Sequence, residues 1–144
     1  MNSAEILLVE DNPHDEELTV RTLRKYHVAN TIHVLRDGEE AVECLFGAGR
    51  ESGGCANTRL ILLDLKLPKM DGLEILRRCK SDSHTKHIPI VVLTSSREES
   101  DLTRYSNLGA NSYVVKPVDF LQFNEAVRQI GLYWMLLNQI PLER

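Results

Sequence analysis

The stretch Leu60–Gly72, LILLDLKLPKMDG, decides the reading of the whole chain, because four apolar residues in a row stop abruptly at one carboxylate, Asp64. A strand with one wet face alternates apolar and polar side chains, whereas an unbroken run suits a strand covered on both faces, as in a parallel sheet flanked by helices. Asp64 then stands at the carboxyl end of a central strand, the edge of an open α/β sheet where loops form a crevice. Behind it, Pro68 interrupts regular structure and Asp71-Gly72 reads as a turn opening a helix.

Outward from this stretch the same grammar repeats. Ile6 to Val9 is a buried tetrad ending in Glu10-Asp11, Ile90 to Leu93 runs into Thr94-Ser95-Ser96, and Tyr113 to Val115 runs into Lys116-Pro117. Ile32 to Leu35, interrupted by His33, reads as an edge strand. Between the strands, Asn12-Pro13 caps and starts a helix with Leu18, Val20 and Leu23 as its apolar positions. Gly38 to Gly47 carries Ala41, Val42 and Leu45 inward, and Asp71 to Ser81 does the same with Leu73, Ile75 and Leu76. A thin apolar stripe marks a fourth helix from Glu98 to Leu108, stopped at Gly109, and a fifth runs from about Phe120 to Asn138. The Gly-rich segment 47–58, GAGRESGGCANT, reads as a mobile surface loop. Five strands alternating with five helices predict a doubly wound α/β domain, a five-stranded parallel sheet with right-handed crossovers.

Length and composition bound the function. At 144 residues the chain accommodates one domain, 1–144, with a core over about 4–138 and no output domain after it. A net charge of -4 offers no basic footprint for nucleic acid or an anionic membrane. The N-terminus lacks a positive region before its four-residue apolar run, which argues against a signal peptide or a span and for a cytoplasmic protein. Cys44, Cys55 and Cys79 make an odd count without CxxC spacing, which suits reduced thiols better than a disulfide framework or a zinc site. His84 and His87 read as solvent-exposed.

The chemistry comes from the strand endings. Glu10-Asp11, Asp64, Thr94 and Lys116 all close strands and so share one edge of a parallel sheet. Carboxylates 4 Å apart repel by roughly 1 to 4 kcal/mol per pair, so a cation belongs among them. A hard dication suits oxygen ligands, and magnesium prefers one or two carboxylates plus waters and phosphate oxygens to a full protein cage. Attack by a carboxylate on a phosphoryl group gives an aspartyl phosphate, and a metal, an ammonium and a hydroxyl are what the charge on its equatorial oxygens needs.

Together, VEDN with Glu10-Asp11, LLDLKLPKMDG around Asp64, VVLTSS around Thr94 and LGANSYVVKP with Tyr113 and Lys116 resemble the receiver domain of two-component response regulators. The resemblance implies strand order 2-1-3-4-5, the flavodoxin-like order. It also implies phosphorylation of Asp64 by a sensor histidine kinase, with Mg2+ held by Asp11, Asp64 and the backbone carbonyl of Lys66, and with Glu10 acting through water. Thr94 and Lys116 are expected on the phosphoryl group, Thr94 and Tyr113 as the switch, and Lys116-Pro117 as a cis peptide. LTVRTLRK, GEEAVECLFGAG and NQIP are similar to single-domain regulators paired with phytochrome-type kinases.

Output is then expected through contact with a downstream protein on the face of the fourth helix, fifth strand and fifth helix. Surplus apolar residues Leu132, Tyr133, Met135, Leu136 and Ile140 predict a homodimer through the same face. The protein is read as a phosphoacceptor that assists its own phosphorylation and slow autodephosphorylation, not as an enzyme. The alternatives are a phosphorelay intermediate and a haloacid-dehalogenase-like phosphatase, whose second Asp is replaced here by Lys66. A flavodoxin-like flavin carrier fits less well, because Glu10-Asp11 stands where an anion loop belongs.

Overall fold

The computed structural model describes residues 6–25, 31–47, 55, 58–67, 71–95, 109–110 and 112–129, with side chains through 126. Five strands, β1 (Ile6–Val9), β2 (Ile32–Leu35), β3 (Leu60–Asp64), β4 (Ile90–Thr94) and β5 (Ser112–Val115), form one parallel sheet in the order β2-β1-β3-β4-β5. Around it stand α1 (Pro13–Lys25), α2 (Gly38–Phe46), α3 (Gly72–Ser81) and α4 (Phe120–Gln129). The helix expected over 98–108 and the part of the last helix beyond 129 lie outside the described residues, which therefore show four of the five expected helices.

The uninterrupted apolar runs are explained by two cores, one on each face of the sheet. Leu7, Val9, Ile61, Leu63, Ile90 and Val92 face α2 and α3, while Ile6, Leu8, Leu60, Leu62, Val91 and Leu93 face the other way with Leu23 of α1 and Phe123 of α4. Burial of each such Leu or Ile contributes about 1.5–3 kcal/mol, so a polar residue at any of these positions would forfeit core energy. β2 is an edge strand, as expected, with three of its four residues half-buried. At the other edge, Val115 N–H donates to Gln122 Oε1 at 3.2 Å and Val115 C=O accepts from Gln122 Nε2 at 3.2 Å, so α4 occupies hydrogen-bonding groups of β5 that an edge strand otherwise leaves open.

Local signals set the helix starts. Asn12 Oδ1 accepts from the amides of His14 and Asp15, Asp37 caps α2 and Asp71 caps α3. The inward faces differ in detail from the sequence reading: α1 buries Thr19 and Leu23 with Leu18 only half-buried, and α2 buries Cys44 where Val42 was expected. Thr19 and Leu23 are one turn apart, so the helix rotates its narrower stripe inward.

The cysteines correct the sequence reading. Cys44, at the end of α2, and Cys55, before β3, form a disulfide with Cα atoms 5.7 Å apart, while Cys79 is a free, buried thiol. Linear spacing could not show this pairing, because it is the tertiary fold that sets Cys55 beside Cys44 of α2. Most of the segment expected as a mobile loop lies outside the described residues, but Cys55 itself is buried. His84 is exposed as expected, with Asp82 Oδ1 3.5 Å from its Nδ1.

Candidate functional site

Register brings the strand endings to one level. Val9 pairs with Leu63, so Glu10 and Asp64 are the next residues on neighbouring strands, and Asp64 pairs in turn with Leu93, one before Thr94. Thr94 C=O accepts from Lys116 N–H at 2.8 Å, which places the start of the post-β5 turn at the same edge. Lys116-Pro117 is a cis peptide, as the resemblance implied.

Lys116 lies among three carboxylates. Its Nζ is 3.1 and 3.2 Å from the two oxygens of Glu10, 3.2 Å from Asp64 Oδ2 and 3.0 Å from Asp15 Oδ2. Burial alone would lower the lysine's pKa, but Asp15, Asp64 and Glu10 outweigh it and raise the value, so the side chain is a fixed cation. Glu10 is fully buried, and burial first, then neighbouring Asp64, pushes its carboxyl up to about 8 despite the opposing pull of Lys116. Asp64 is buried at 4% exposure and accepts from the amide of Lys66 at 3.1 Å.

Carboxylate oxygens of Glu10, Asp11 and Asp64 lie within 4.8 Å of one another, with Asp11 exposed and the other two buried. The donor set is all oxygen and open to solvent on one side, and its negative charge exceeds what Lys116 neutralises. It fits a hard divalent cation. The side chain of Lys66 is exposed and points to no role of its own in this cluster.

The structure brings together Glu10, Asp11, Asp64 and Lys116, and sets Thr94, buried at 6% exposure, at the same edge. Tyr113 stands apart: it pairs with Val92, two residues before Thr94 on β4, and is 45% exposed on an open groove of about 400 Å³ lined by Ser112, Leu121, Gln122 and Glu125. The sequence reading missed Asp15. No local signal marks it, because the contact that gives it a role, with Lys116, joins residues 101 apart in the chain.

A five-stranded parallel sheet in this order, with an acid cluster and a half-buried lysine at its carboxyl edge, supplies what a phosphoryl-accepting switch needs. The chain belongs to the response regulator receiver domain family, whose model matches residues 6–128. It is similar to the bacteriophytochrome response regulator AtBRR, with 50% identity and a TM-score of 0.82 over 96% of this chain and 100% of that one. It is 40% identical to the probable methanogenesis regulatory protein FilR2 of Methanothrix harundinacea over 94% of this chain and 86% of that protein. It is 36% identical to response regulator Rcp1 of Synechocystis over 94% of this chain and 92% of that protein. The Mn2+-bound form of Rcp1 superposes with a TM-score of 0.69, covering 98% of this chain and 99% of that one at 35% identity. The protein is thus a receiver-domain response regulator, a switch of two-component signalling, and a phosphatase reading is not favoured.

Proposed function

We infer that Asp64 accepts a phosphoryl group from the phosphohistidine of a sensor histidine kinase of the phytochrome type, in the cytoplasm, and that the phosphorylated chain signals by protein contact. The carrying observation is the position of Asp64, buried at the sheet edge with Lys116 Nζ 3.2 Å from its Oδ2. In the transfer, an Asp64 oxygen attacks phosphorus, the phosphorus–nitrogen bond breaks and the electron pair leaves with the kinase imidazole. Lys116, already oriented by Glu10 and Asp15, supplies positive charge to the phosphoryl oxygens, and the Thr94 hydroxyl donates to one of them. Mg2+ would be held by Asp11, Asp64 and the Lys66 carbonyl, with Glu10 reached through water. When bound it neutralises phosphoryl charge and orients the reacting oxygens.

The relatives named for bacteriophytochromes support the choice of kinase class, with AtBRR matched over nearly the whole chain. Movement of Thr94 towards the new charge, followed by inward turning of Tyr113, would remodel the groove on α4 and β5. Tyr113 is outward in the unmodified chain, the orientation from which such a turn starts.

The test is incubation with magnesium and a small phosphodonor, then with a phytochrome-type kinase and an unrelated histidine kinase. An acid-stable, base-labile phosphoryl adduct is expected, absent in Asp64→Asn, with faster transfer from the phytochrome-type kinase. Labelling that persists in Asp64→Asn would overturn the assignment of the acceptor.

A further inference from the structure

Away from the acidic edge, the fold gathers a second set of metal-ligating side chains that sequence spacing keeps apart. His33 pairs in register with Leu7, a member of the core cluster that also contains Cys44 and Cys55. A nitrogen of His33 and the sulfurs of Cys44 and Cys55 all lie within 4.8 Å of one another. Both cysteines are buried, and His33 Nδ1 is buried without a hydrogen-bond partner. Thr58 Oγ1, on the residue whose amide donates to Cys55 C=O at 3.3 Å, is also buried without one. Orphaned buried polar atoms are uncommon in folded proteins, and here an imidazole with an unpartnered ring nitrogen stands beside two sulfurs.

We propose that Cys44 and Cys55 in their reduced form, together with His33, bind a thiophilic divalent cation of the zinc class, so that the disulfide and the metal-bound site are alternative states of the same residues. Zinc takes cysteine sulfur at about 2.3 Å and histidine nitrogen at about 2.0–2.1 Å in tetrahedral geometry, which sets donors somewhat under 4 Å apart. The donor atoms already lie within 4.8 Å of one another, and reduction of the disulfide frees the two sulfurs to separate. Two sulfurs and one nitrogen leave the fourth position to water. A cellular or added dithiol supplies the two electrons and two protons that convert the disulfide into two thiols, itself leaving as a disulfide. The cation then displaces both thiol protons and takes the lone pair of a neutral imidazole. Sulfur and imidazole select against magnesium, which prefers all-oxygen ligands such as the acid cluster. The two sites are therefore chemically distinct.

The test uses the full chain, reduced with a phosphine and desalted without oxygen, in excess Mg2+ to occupy the acid cluster. Cobalt is titrated as a spectroscopic probe, and zinc as its competitor. One equivalent of cobalt with sulfur-to-metal charge-transfer absorption is expected, displaced by zinc and absent from the oxidised chain. Zinc should protect Cys44 and Cys55 from alkylation, mapped peptide by peptide and compared with the buried free Cys79. Loss of an outer-shell partner alone typically weakens metal binding roughly 10–100-fold, so His33→Ala should cost at least that. Cysteine substitutions can unfold the domain, and alkylation protection in the unsubstituted chain avoids that ambiguity. Absent charge-transfer absorption, absent zinc protection, or equal cobalt binding by the oxidised chain or by His33→Ala would overturn the proposal.

Discussion

Glu10 is fully buried against a lysine, and its carboxyl still titrates far above the ordinary 4.5, at about 8, because burial outweighs the ion pair. The folded state therefore favours the neutral acid. The stability it contributes is fully present below 4.5, the unfolded value, and is lost as pH rises through about 8. In chelator, the urea midpoint of the chain should fall across that window, and Glu10→Gln, which cannot ionise, should flatten the fall. A divalent cation should flatten it too, by substituting for the proton. An unchanged slope in Glu10→Gln would remove Glu10 as its origin. Asp15 presents a second contrast at this scale. Its bond to Lys116 is charge-assisted and mostly shielded, whereas the Glu17–Arg21 pair on the same helix is about two-thirds exposed on both sides. Asp15→Asn should cost about 1 kcal/mol, and Glu17→Gln close to nothing, in denaturant midpoints. Equal effects would mean that the cluster does not hold Lys116 as the distances indicate.

The join between β3 and α3 is where an element boundary and the site become one object. A Cβ added at Gly72 would lie 2.6 Å from Leu65 Cα and 2.7 Å from the carbonyl oxygen of Asp64, both backbone atoms that cannot swing aside. Gly72 N–H donates to Leu65 C=O at 3.2 Å, tying the first turn of α3 to the end of β3. Gly72→Ala should therefore destabilise the domain by about 1–3 kcal/mol and slow phosphoryl uptake at Asp64 by moving its strand end. Circular dichroism melts and adduct formation would report the two effects, and a silent substitution would show the contact to be loose. Sequence reading placed a turn at Asp71-Gly72 but could not see why the second residue must lack a side chain, since the atoms it would meet belong to Leu65 and Asp64, seven and eight residues earlier in the chain. The same limit separates what was legible from what was not. Apolar tetrads and turn residues are local, so all five strands and the helix starts at Asn12, Gly38 and Asp71 were readable. The Cys44–Cys55 bond, the turn of Thr19 inward and the reach of Asp15 to Lys116 are long-range packing outcomes that no short window encodes.

At the scale of the whole molecule, apolar surface among the described residues remains in water at the groove beside β5 and α4, next to the sheet edge where Gln122 bonds Val115. Leu121 is 78% exposed there and Tyr113 is 45% exposed, the two large hydrophobic side chains most open among the described residues. A single exposed leucine is ordinary, but a leucine and a tyrosine bordering one groove of about 400 Å³ form a patch. The receiver reading makes this the surface that phosphorylation at Asp64 would remodel, and we propose that the homodimer expected from the sequence forms through it. Leu121→Glu changes a side chain that contributes little to the fold of one copy, so its circular dichroism spectrum should match the parent, with a fall in melting temperature only as large as loss of the dimer produces. Buried against a second copy, the same charge would be desolvated without a partner and should disfavour association strongly. Light scattering at micromolar concentration should therefore give a dimer for the parent and a monomer for Leu121→Glu, with phosphoryl adduct formation at Asp64 the same in both. A monomeric parent, with and without phosphodonor, would sink the dimer, and a dimeric Leu121→Glu would move it to another face.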